Sequence, residues 1–311
     1  MKEICIINYG SNAAVYGIGT YIREYISCLL NLGNKVNLIE LGIDRNQTEV
    51  CIKEKKGLRI ISIPYLGNRD ISIYNKSVCR LLRLYLSDSP DLIFHFHYFL
   101  SDSLLYSLKK YFPLSGYVLT IHYLYWSTRL NGNISNYKDI ISRKSYKYIQ
   151  KKYQDLISNY EQEKKFFQVV DKIVCLSEDT YNLVQYLYGI NSEKLALIPN
   201  GLTERKMNIS ADNKEKLRKV FGIKPDEKII LFVGRINQIK GIYTLLLAFG
   251  KVIQTYTKCR LIVIGNGDFT NVMKEMPNPI TQITYTGRLD KETLYNWYHC
   301  CPEKIRQNSY Y

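Results

Sequence analysis

Short apolar runs rich in β-branched residues recur along the chain and alternate with segments of helical periodicity. In the first two hundred residues we interpret seven runs as strands, at 3–8, 35–40, 58–63, 91–97, 117–121, 172–176 and 195–198. Helix-like stretches lie between them, at 19–32, 74–86, 101–111, 138–169 and 178–187. Continuous apolar strands that alternate with helices are typical of a mostly parallel sheet covered on both faces. The pattern predicts a doubly wound α/β domain over residues 1–200.

A second domain is predicted over residues 201–311. The break at Pro199-Asn200-Gly201 is followed by a polar, charged stretch at 203–219. The alternation then restarts, with predicted strands at 228–233, 260–264 and 283–286 and predicted helices at 241–255 and 291–298. Three strands are few for an open α/β sheet. We therefore expect the second domain to be incomplete.

The charge balance restricts the class of partner. The chain has 43 Lys and Arg against 28 Asp and Glu, a net charge of +15, which favours phosphate-bearing substrates, nucleic acid or an anionic membrane surface. No apolar run reaches the roughly 18–20 residues that cross a bilayer, and the first residues show no secretory signal. Eight cysteines without a C-x-x-C pair are typical of reduced thiols in a cytoplasmic protein.

Lysines and arginines concentrate in the segment 138–165, where apolar and tyrosine residues separate them. One interpretation is a long surface helix with a single stripe facing the core. The other is a basic amphipathic face that contacts anionic lipid, which would place the protein peripherally at the inner membrane face. The sequence leaves both open.

Two glycine-containing turns precede predicted helices. Gly17-Ile18-Gly19-Thr20 leads into the first helix, where backbone amides and the helix dipole favour an anion. Together with Glu40 at the end of the second strand, it leaves a Rossmann oxidoreductase as an alternative. In the second domain Arg235 follows a strand and Lys240 precedes a helix, an arrangement of two cations that suits a diphosphate.

Further glycines follow the remaining strands of the second domain. Gly265 and Gly267 come after the second strand and Gly287 after the third. The carboxyl ends of parallel strands share one edge of a sheet, where ligands of open α/β folds bind. This edge is therefore a candidate nucleotide pocket. A metal site is not expected, because His95-Phe96-His97 is accompanied by no cluster of cysteines or carboxylates.

The motifs together resemble the retaining GT-B glycosyltransferases of family 4. The resemblance extends from residue 1 to about residue 298 and rests on Gly17-Ile-Gly19-Thr-Tyr, Thr120-Ile-His122, Pro199-Asn-Gly201, Gly234-Arg235 with Lys240-Gly241, and Gly265-Asn-Gly267. It implies two Rossmann-like domains that face a cleft, and a sugar moved with retention from a nucleoside diphosphate-sugar to a saccharide or lipid-linked acceptor, in polysaccharide or glycolipid synthesis. No nucleic-acid partner is implied.

The resemblance also implies roles for single residues. Arg235 and Lys240 would hold the donor phosphates without a metal, and Gly17, Gly19 and Thr20 would approach the diphosphate. His122 would contact the transferred sugar as the catalytic-site histidine; the alternative is a hydrogen-bonded histidine at a strand end, an interpretation that applies more strongly to His97. Gly265, Gly267 and Gly287 would line the base and ribose pocket.

The sequence departs from the family pattern after residue 298. The family continues into a further strand and a pair of glutamates eight positions apart, and no such pair occurs in this chain. We therefore expect a truncated or frame-shifted C-terminus, a destabilised second domain and little or no transferase activity. A catalytically dead, nucleotide-binding remnant is the alternative function that follows from it.

Overall fold

The computed structural model describes residues 1–9, 17–43, 48–65, 70–97, 102–201, 211–274 and 281–300. Residue contacts divide the chain into two compact units, with the main division after Gly201. Within these described ranges each unit contains one sheet, of eight strands in the first and three in the second. The predicted α/β class is confirmed for both units. The C-terminal tail after residue 300, to which the truncation prediction refers, lies outside the described residues.

The first sheet is parallel except for one edge strand. Its strands are β1 (Glu3–Tyr9), β2 (Lys35–Ile43), β3 (Cys51–Lys55), β4 (Leu58–Pro64), β5 (Leu92–Phe96), β6 (Gly116–Ile121), β7 (Lys172–Cys175) and β8 (Leu195–Leu197), in the spatial order β3-β4-β2-β1-β5-β6-β7-β8. The seven predicted strands are all present, with shifted ends. Sequence order reverses at β1, which pairs with β2 on one side and β5 on the other.

The edge strand β3 has no counterpart in the sequence prediction. It pairs antiparallel with β4 through a tight turn at Lys56-Gly57, where both residues have positive φ. Four of its five residues are exposed, so it lacks the apolar pattern of a buried strand. Its lysines and glutamate disfavour pairing of this edge with another chain.

Helices cover both faces of the first sheet. They are α1 (Gly17–Asn31), α2 (Ile71–Leu82), α3 (Asp102–Tyr111), α4 (Tyr125–Arg129), α5 (Ile134–Ser142), α6 (Lys147–Lys152), α7 (Gln154–Val169) and α8 (Glu178–Tyr186). On one face Ile22 and Ile26 of α1 pack with Ile4 and Ile6 of β1. The larger core, which includes Phe94 and other buried aromatic residues, lies on the opposite face.

The prediction of one long helix over 138–169 is wrong. This segment forms the end of α5, then α6 and α7, with breaks at Arg143–Tyr146 and at Tyr153. Three separate axes allow Tyr137, Ile149 and Leu156 all to reach the core. Tertiary packing therefore overrides the continuous helical periodicity.

The second unit is a smaller α/β layer structure. Its strands β9 (Lys228–Val233), β10 (Cys259–Ile264) and β11 (Ile283–Gly287) are parallel and lie in the order β11-β10-β9. Its helices are α9 (Ala211–Val220), α10 (Ile242–Thr255), α11 (Phe269–Lys274) and α12 (Lys291–Cys300). Helix α9 lies in the polar, charged stretch for which the sequence predicted no helix, and α11 has no counterpart in the sequence prediction either. Separate apolar clusters on the two faces contain Leu261 and Ile262 of β10.

Candidate functional site

In the first unit, a cluster of histidines and tyrosines lies at the carboxyl-end side of the sheet. His97 and His122 directly follow β5 and β6, and both strands are parallel to β1, where strand order reverses. Such reversal points bind ligands in open α/β sheets. His95 is buried on β5, and the rings of Tyr21 and Tyr25 of α1 contact these histidines in tilted or edge-to-face arrangements. His122 therefore lies at the sheet edge that the sequence predicted, and His97 lies at the same edge.

Hydrogen bonds fix the imidazoles relative to one another. His97 Nδ1 lies 3.2 Å from His122 Nε2. The His95 ring bridges Tyr25 and Thr120, with its two nitrogens 2.9 and 2.8 Å from the respective hydroxyl oxygens. The second ring nitrogen of His97 is buried and has no hydrogen-bond partner among the described residues. His97 is therefore a buried neighbour that orients His122, which is itself half-buried.

The three histidines are neutral at pH 7. Burial lowers the pKa of His95 to about 3 and that of His122 to about 4. It also lowers the pKa of His97 well below its ordinary value, with a further contribution from the two neighbouring imidazoles. A neutral imidazole at position 122 can donate a hydrogen bond to a sugar hydroxyl or accept one from it.

The glycines predicted to approach the diphosphate lie in the first turn of α1. Gly17 begins the helix, Gly19 is buried, and the Thr20 hydroxyl accepts a hydrogen bond of 3.0 Å from Arg23. Residues 10–16, which precede the helix in the sequence, lie outside the described residues. Glu40, invoked for an oxidoreductase, accepts a hydrogen bond from Ser62 on the adjacent strand β4.

A buried carboxylate that the sequence analysis missed lies beside His122. Glu163 of α7 is 2% exposed, and its oxygens accept hydrogen bonds from the Tyr188 hydroxyl and from the Tyr125 backbone N–H at 3.3 Å. Glu163 and His122 line one pocket of about 150 Å³. The available signal was a glutamate between buried Tyr160 and Phe166–Phe167 on the apolar stripe of α7.

In the second unit, the strand ends bring the predicted phosphate residues to one edge. Arg235 follows β9 and is exposed. Asn237 then begins a 3₁₀ turn over Gln238–Lys240, and its side chain accepts a hydrogen bond of 3.1 Å from the Lys240 N–H. Gly241, with φ of 72°, takes the chain into α10. Lys240 thus lies just before the start of α10, where the helix dipole adds to its attraction for an anion, and Arg235 lies on the same sheet edge at the end of β9.

Glycines 265 and 267 allow the turns after β9 and β10 to lie against each other. A Cβ at Gly265 would be 1.8 Å from the Gly234 carbonyl oxygen, and one at Gly267 would be 2.3 Å from that of Ile236. The backbones hydrogen bond here, from Gly234 N to Ile264 O and from Ile236 N to Asn266 O. Gly287, φ 70°, ends β11 and its carbonyl accepts from Gly265 N. All three glycines share the edge with Arg235.

Comparison with known protein families identifies both units. The profile of "Glycosyltransferase Family 4" matches residues 15–205, more than half of the chain. The chain belongs to glycosyltransferase family 4. A second profile, "Glycosyl transferases group 1", matches residues 213–301. This membership in a family of transferases replaces the oxidoreductase alternative.

Individual relatives agree with the family. The chain is 32% identical over 130 residues to an alpha-monoglucosyldiacylglycerol synthase of Streptococcus pneumoniae, covering 40% of this chain and 29% of the relative. It is 26% identical over 132 residues to an uncharacterized glycosyltransferase of Methanocaldococcus jannaschii, covering 41% of this chain and 34% of the relative. These alignments span about a third of the relatives' own length.

The fold of the chain also matches solved structures. A sucrose-phosphate synthase from Thermosynechococcus elongatus superimposes with a TM-score of 0.68 at 19% identity, over 97% of this chain and 74% of the synthase. This likeness supports the GT-B fold. Among the described residues, no helix is both long and apolar enough to traverse a bilayer. No group of three or more His, Cys, Asp or Glu in the described part of the chain could hold a metal ion.

Proposed function

We propose that the protein transfers a sugar from a nucleoside diphosphate-sugar to a saccharide or lipid-linked acceptor, with retention at the anomeric carbon, in polysaccharide or glycolipid synthesis. The carrying observation is the edge of the second sheet, where Arg235 follows β9 and Lys240 precedes α10 beside the glycine turns. Family membership supports the reaction class. The alternative of a nucleotide-binding remnant shares this donor site and differs in showing no sugar transfer.

The chemistry follows from where charge develops. As the bond between the anomeric carbon and the diphosphate oxygen breaks, negative charge grows on the leaving group. Arg235 offers a planar, two-pronged donor and Lys240 a point charge. Their attraction is greater in the transition state than in the bound substrate, which is the condition for acceleration. These side chains take the place of a metal ion in the proposal.

Titration calorimetry with UDP, GDP and ADP tests the donor site. Charge-assisted hydrogen bonds contribute about 1.5–3 kcal/mol each, so Arg235→Ala and Lys240→Ala should each weaken binding of the preferred diphosphate about tenfold or more. The control is Lys251→Ala, an exposed lysine later on the same helix α10, which should bind normally. Unchanged affinity in both site variants would exclude this assignment.

We also propose that the first unit contacts an anionic membrane surface. Around α6, Lys147, Lys151 and Lys152 are exposed and form no ion pair within the described part of the chain. Tyr146 and Tyr148, which flank Lys147 and are 56% and 62% exposed, stack on each other. Exposed tyrosines among lysines fit the headgroup layer of a bilayer, where each lysine contributes about 1 kcal/mol.

Sedimentation with vesicles of mixed neutral and anionic lipid tests this contact. Replacement of Lys147, Lys151 and Lys152 by Gln should abolish most of the bound fraction at low salt. The matched control replaces Lys53, Lys55 and Lys56 of the β3–β4 hairpin by Gln, which removes the same charge elsewhere. Equal loss in both variants would indicate an effect of net charge alone, and no sedimentation of the wild type would refute the contact.

A further inference from the structure

The short helix α4 begins three residues after His122, and α7 determines where it begins. Leu124, the residue before α4, provides no side-chain cap. The first amide of the helix, Tyr125 N–H, instead donates to Glu163 Oε1 at 3.3 Å. A helix start without a local cap leaves amides that need an acceptor. Here a carboxylate from a distant helix supplies it.

The contact between α4 and α7 is reinforced at two further points. Asp155, two turns before Glu163 on α7, accepts from the Tyr125 hydroxyl at 3.1 Å and from Arg129 Nε at 2.9 Å. Trp126 stacks on the buried Tyr137 with ring centroids 5.0 Å apart. Helix α4 is thus held along its length, and its N-terminal end depends on Glu163.

Glu163 is held in turn by two tyrosines. The Tyr188 hydroxyl donates to Glu163 Oε2, and the hydroxyls of Tyr188 and Tyr137 lie 2.9 Å apart. Tyr188 and Tyr137 are fully buried. A buried carboxylate costs stability unless it is hydrogen bonded, and an isolated core would be better filled by an apolar residue. Because this carboxylate lines the same pocket as His122, we interpret its burial as the result of a functional role.

We infer that Glu163 is a positioning residue for His122, because it fixes the start of α4 and so the three-residue link on which the histidine lies. The inference rests on the proposed function, in which the neutral His122 imidazole meets the sugar. Between β6 and α4 only His122, Tyr123 and Leu124 can adjust. Displacement of the Tyr125 amide therefore moves the His122 ring, and misplacement by about 1 Å can cost about a hundredfold in rate.

The titration of Glu163 provides a reporter for this coupling. Burial raises the pKa of Glu163 to about 7, opposed by the hydrogen bonds from Tyr188 and Tyr125. The titratable groups that face it are Tyr188, Tyr137 of α5, and His97 and His122 across the pocket. The tyrosines stay protonated and the histidines stay neutral near pH 7, since burial shifts their pKa values away from it.

The experiment is NMR of the protein labelled with ¹⁵N in its histidines, of which there are four, with His122→Gln to assign the signal. In the wild type, the His122 ring nitrogens should shift with a midpoint near pH 7, although the ring itself does not titrate there. Glu163→Gln, which keeps the size and an acceptor oxygen, should remove this inflection. Glu161→Gln, a half-buried position on the same helix whose carboxylate pairs with Lys144 and not with Tyr125 or Tyr188, should retain it.

A wild-type His122 signal that is flat between pH 6 and 8, or an inflection that persists in Glu163→Gln, overturns the inference. If Glu163→Gln fails to fold by circular dichroism, Tyr188→Phe provides the test: loss of the hydroxyl that donates to Glu163 should move the midpoint to higher pH, and an unmoved midpoint refutes it. Nucleotide binding through Arg235, measured by calorimetry, is independent of this readout. The donor site and the role of Glu163 can therefore fail separately.

Discussion

Replacement of Gly265 by Ala should destabilise the second unit and weaken nucleotide binding at the same time. The added Cβ would lie 1.8 Å from the carbonyl oxygen and 2.8 Å from the carbonyl carbon of Gly234. Both atoms belong to the backbone, so no side-chain rotation relieves the overlap. The turn after β9 must move away from β10, and Arg235 moves with it.

The size of the effect follows from the contacts that are lost. Gly265 has φ of 151°, a conformation that costs about 1–3 kcal/mol for a residue with a side chain. Separation of the turns also weakens the hydrogen bonds Gly234 N to Ile264 O, 3.0 Å, and Ile236 N to Asn266 O, 2.9 Å. With about 0.5–1.5 kcal/mol for each bond, the total loss is about 2–6 kcal/mol.

Urea unfolding followed by tryptophan fluorescence measures this loss. The chain has two tryptophans, and in a Trp126→Phe background the buried Trp297, which stacks on Phe221, reports the second unit alone. The control is Gly222→Ala, because Gly222 also has positive φ, 63°, but its Cβ would meet no atom within 4 Å. That variant should lose only about 1–2 kcal/mol. Equal unfolding free energies for the two variants, or unchanged diphosphate affinity in Gly265→Ala, would refute the reasoning.

Three further predictions concern the two sites separately. His122→Ala should abolish sugar transfer from the preferred donor but leave its diphosphate affinity unchanged in calorimetry; a parallel loss of affinity would contradict a role confined to the sugar. Acidification from pH 7 to 5 should lower the thermal midpoint of the first unit, because the unfolded chain protonates histidines whose pKa is lowered in the fold. Glu163, whose pKa is raised, has the opposite effect on stability but is one group against several histidines. His95→Gln should flatten the dependence of the thermal midpoint on pH. Asn237→Ala, which removes the acceptor of the Lys240 amide, should cost about 1 kcal/mol of stability and weaken diphosphate binding less than Lys240→Ala does.

The buried strands could be predicted from the sequence because each is a continuous apolar run with no competing interpretation. Strand β3 could not be predicted in the same way, since Cys51–Lys55, of which four residues are exposed, carry no apolar alternation. A local signal was nevertheless available. Lys56-Gly57 is a two-residue turn with positive φ at both positions, and such turns, with glycine second, are typical of tight hairpins.

The breaks between α5, α6 and α7 have no comparable signal. Between residues 134 and 169 the chain contains neither proline nor glycine, so local propensity favours one helix. The breaks at Arg143–Tyr146 and Tyr153 instead follow from long-range packing of Tyr137, Ile149 and Leu156. Such contacts between distant residues cannot be read from a window of sequence.

The residues of the candidate site also differ in whether the sequence alone could predict them. Arg235, Lys240 and the strand-end glycines could be found from the sequence, because they lie next to strands that were predicted. Glu163 could not, because its meaning depends on Tyr188 and on the Tyr125 amide, which are distant in the chain. Whether a buried glutamate is a packing error or a functional group becomes clear only when its partners are known.

The interlocking turns of the second unit limit how the proposed donor site can be redesigned. Because residues 234–236 and 265–267 leave no room for a Cβ at Gly265 or Gly267, libraries that randomise these glycines would consist mostly of misfolded members. Diversity is better introduced at Asn266, whose backbone carbonyl accepts from Ile236 whatever side chain it carries, and at Arg288 after β11. The backbone of the two turns is then kept unchanged, and only the side chains at residues 266 and 288 vary.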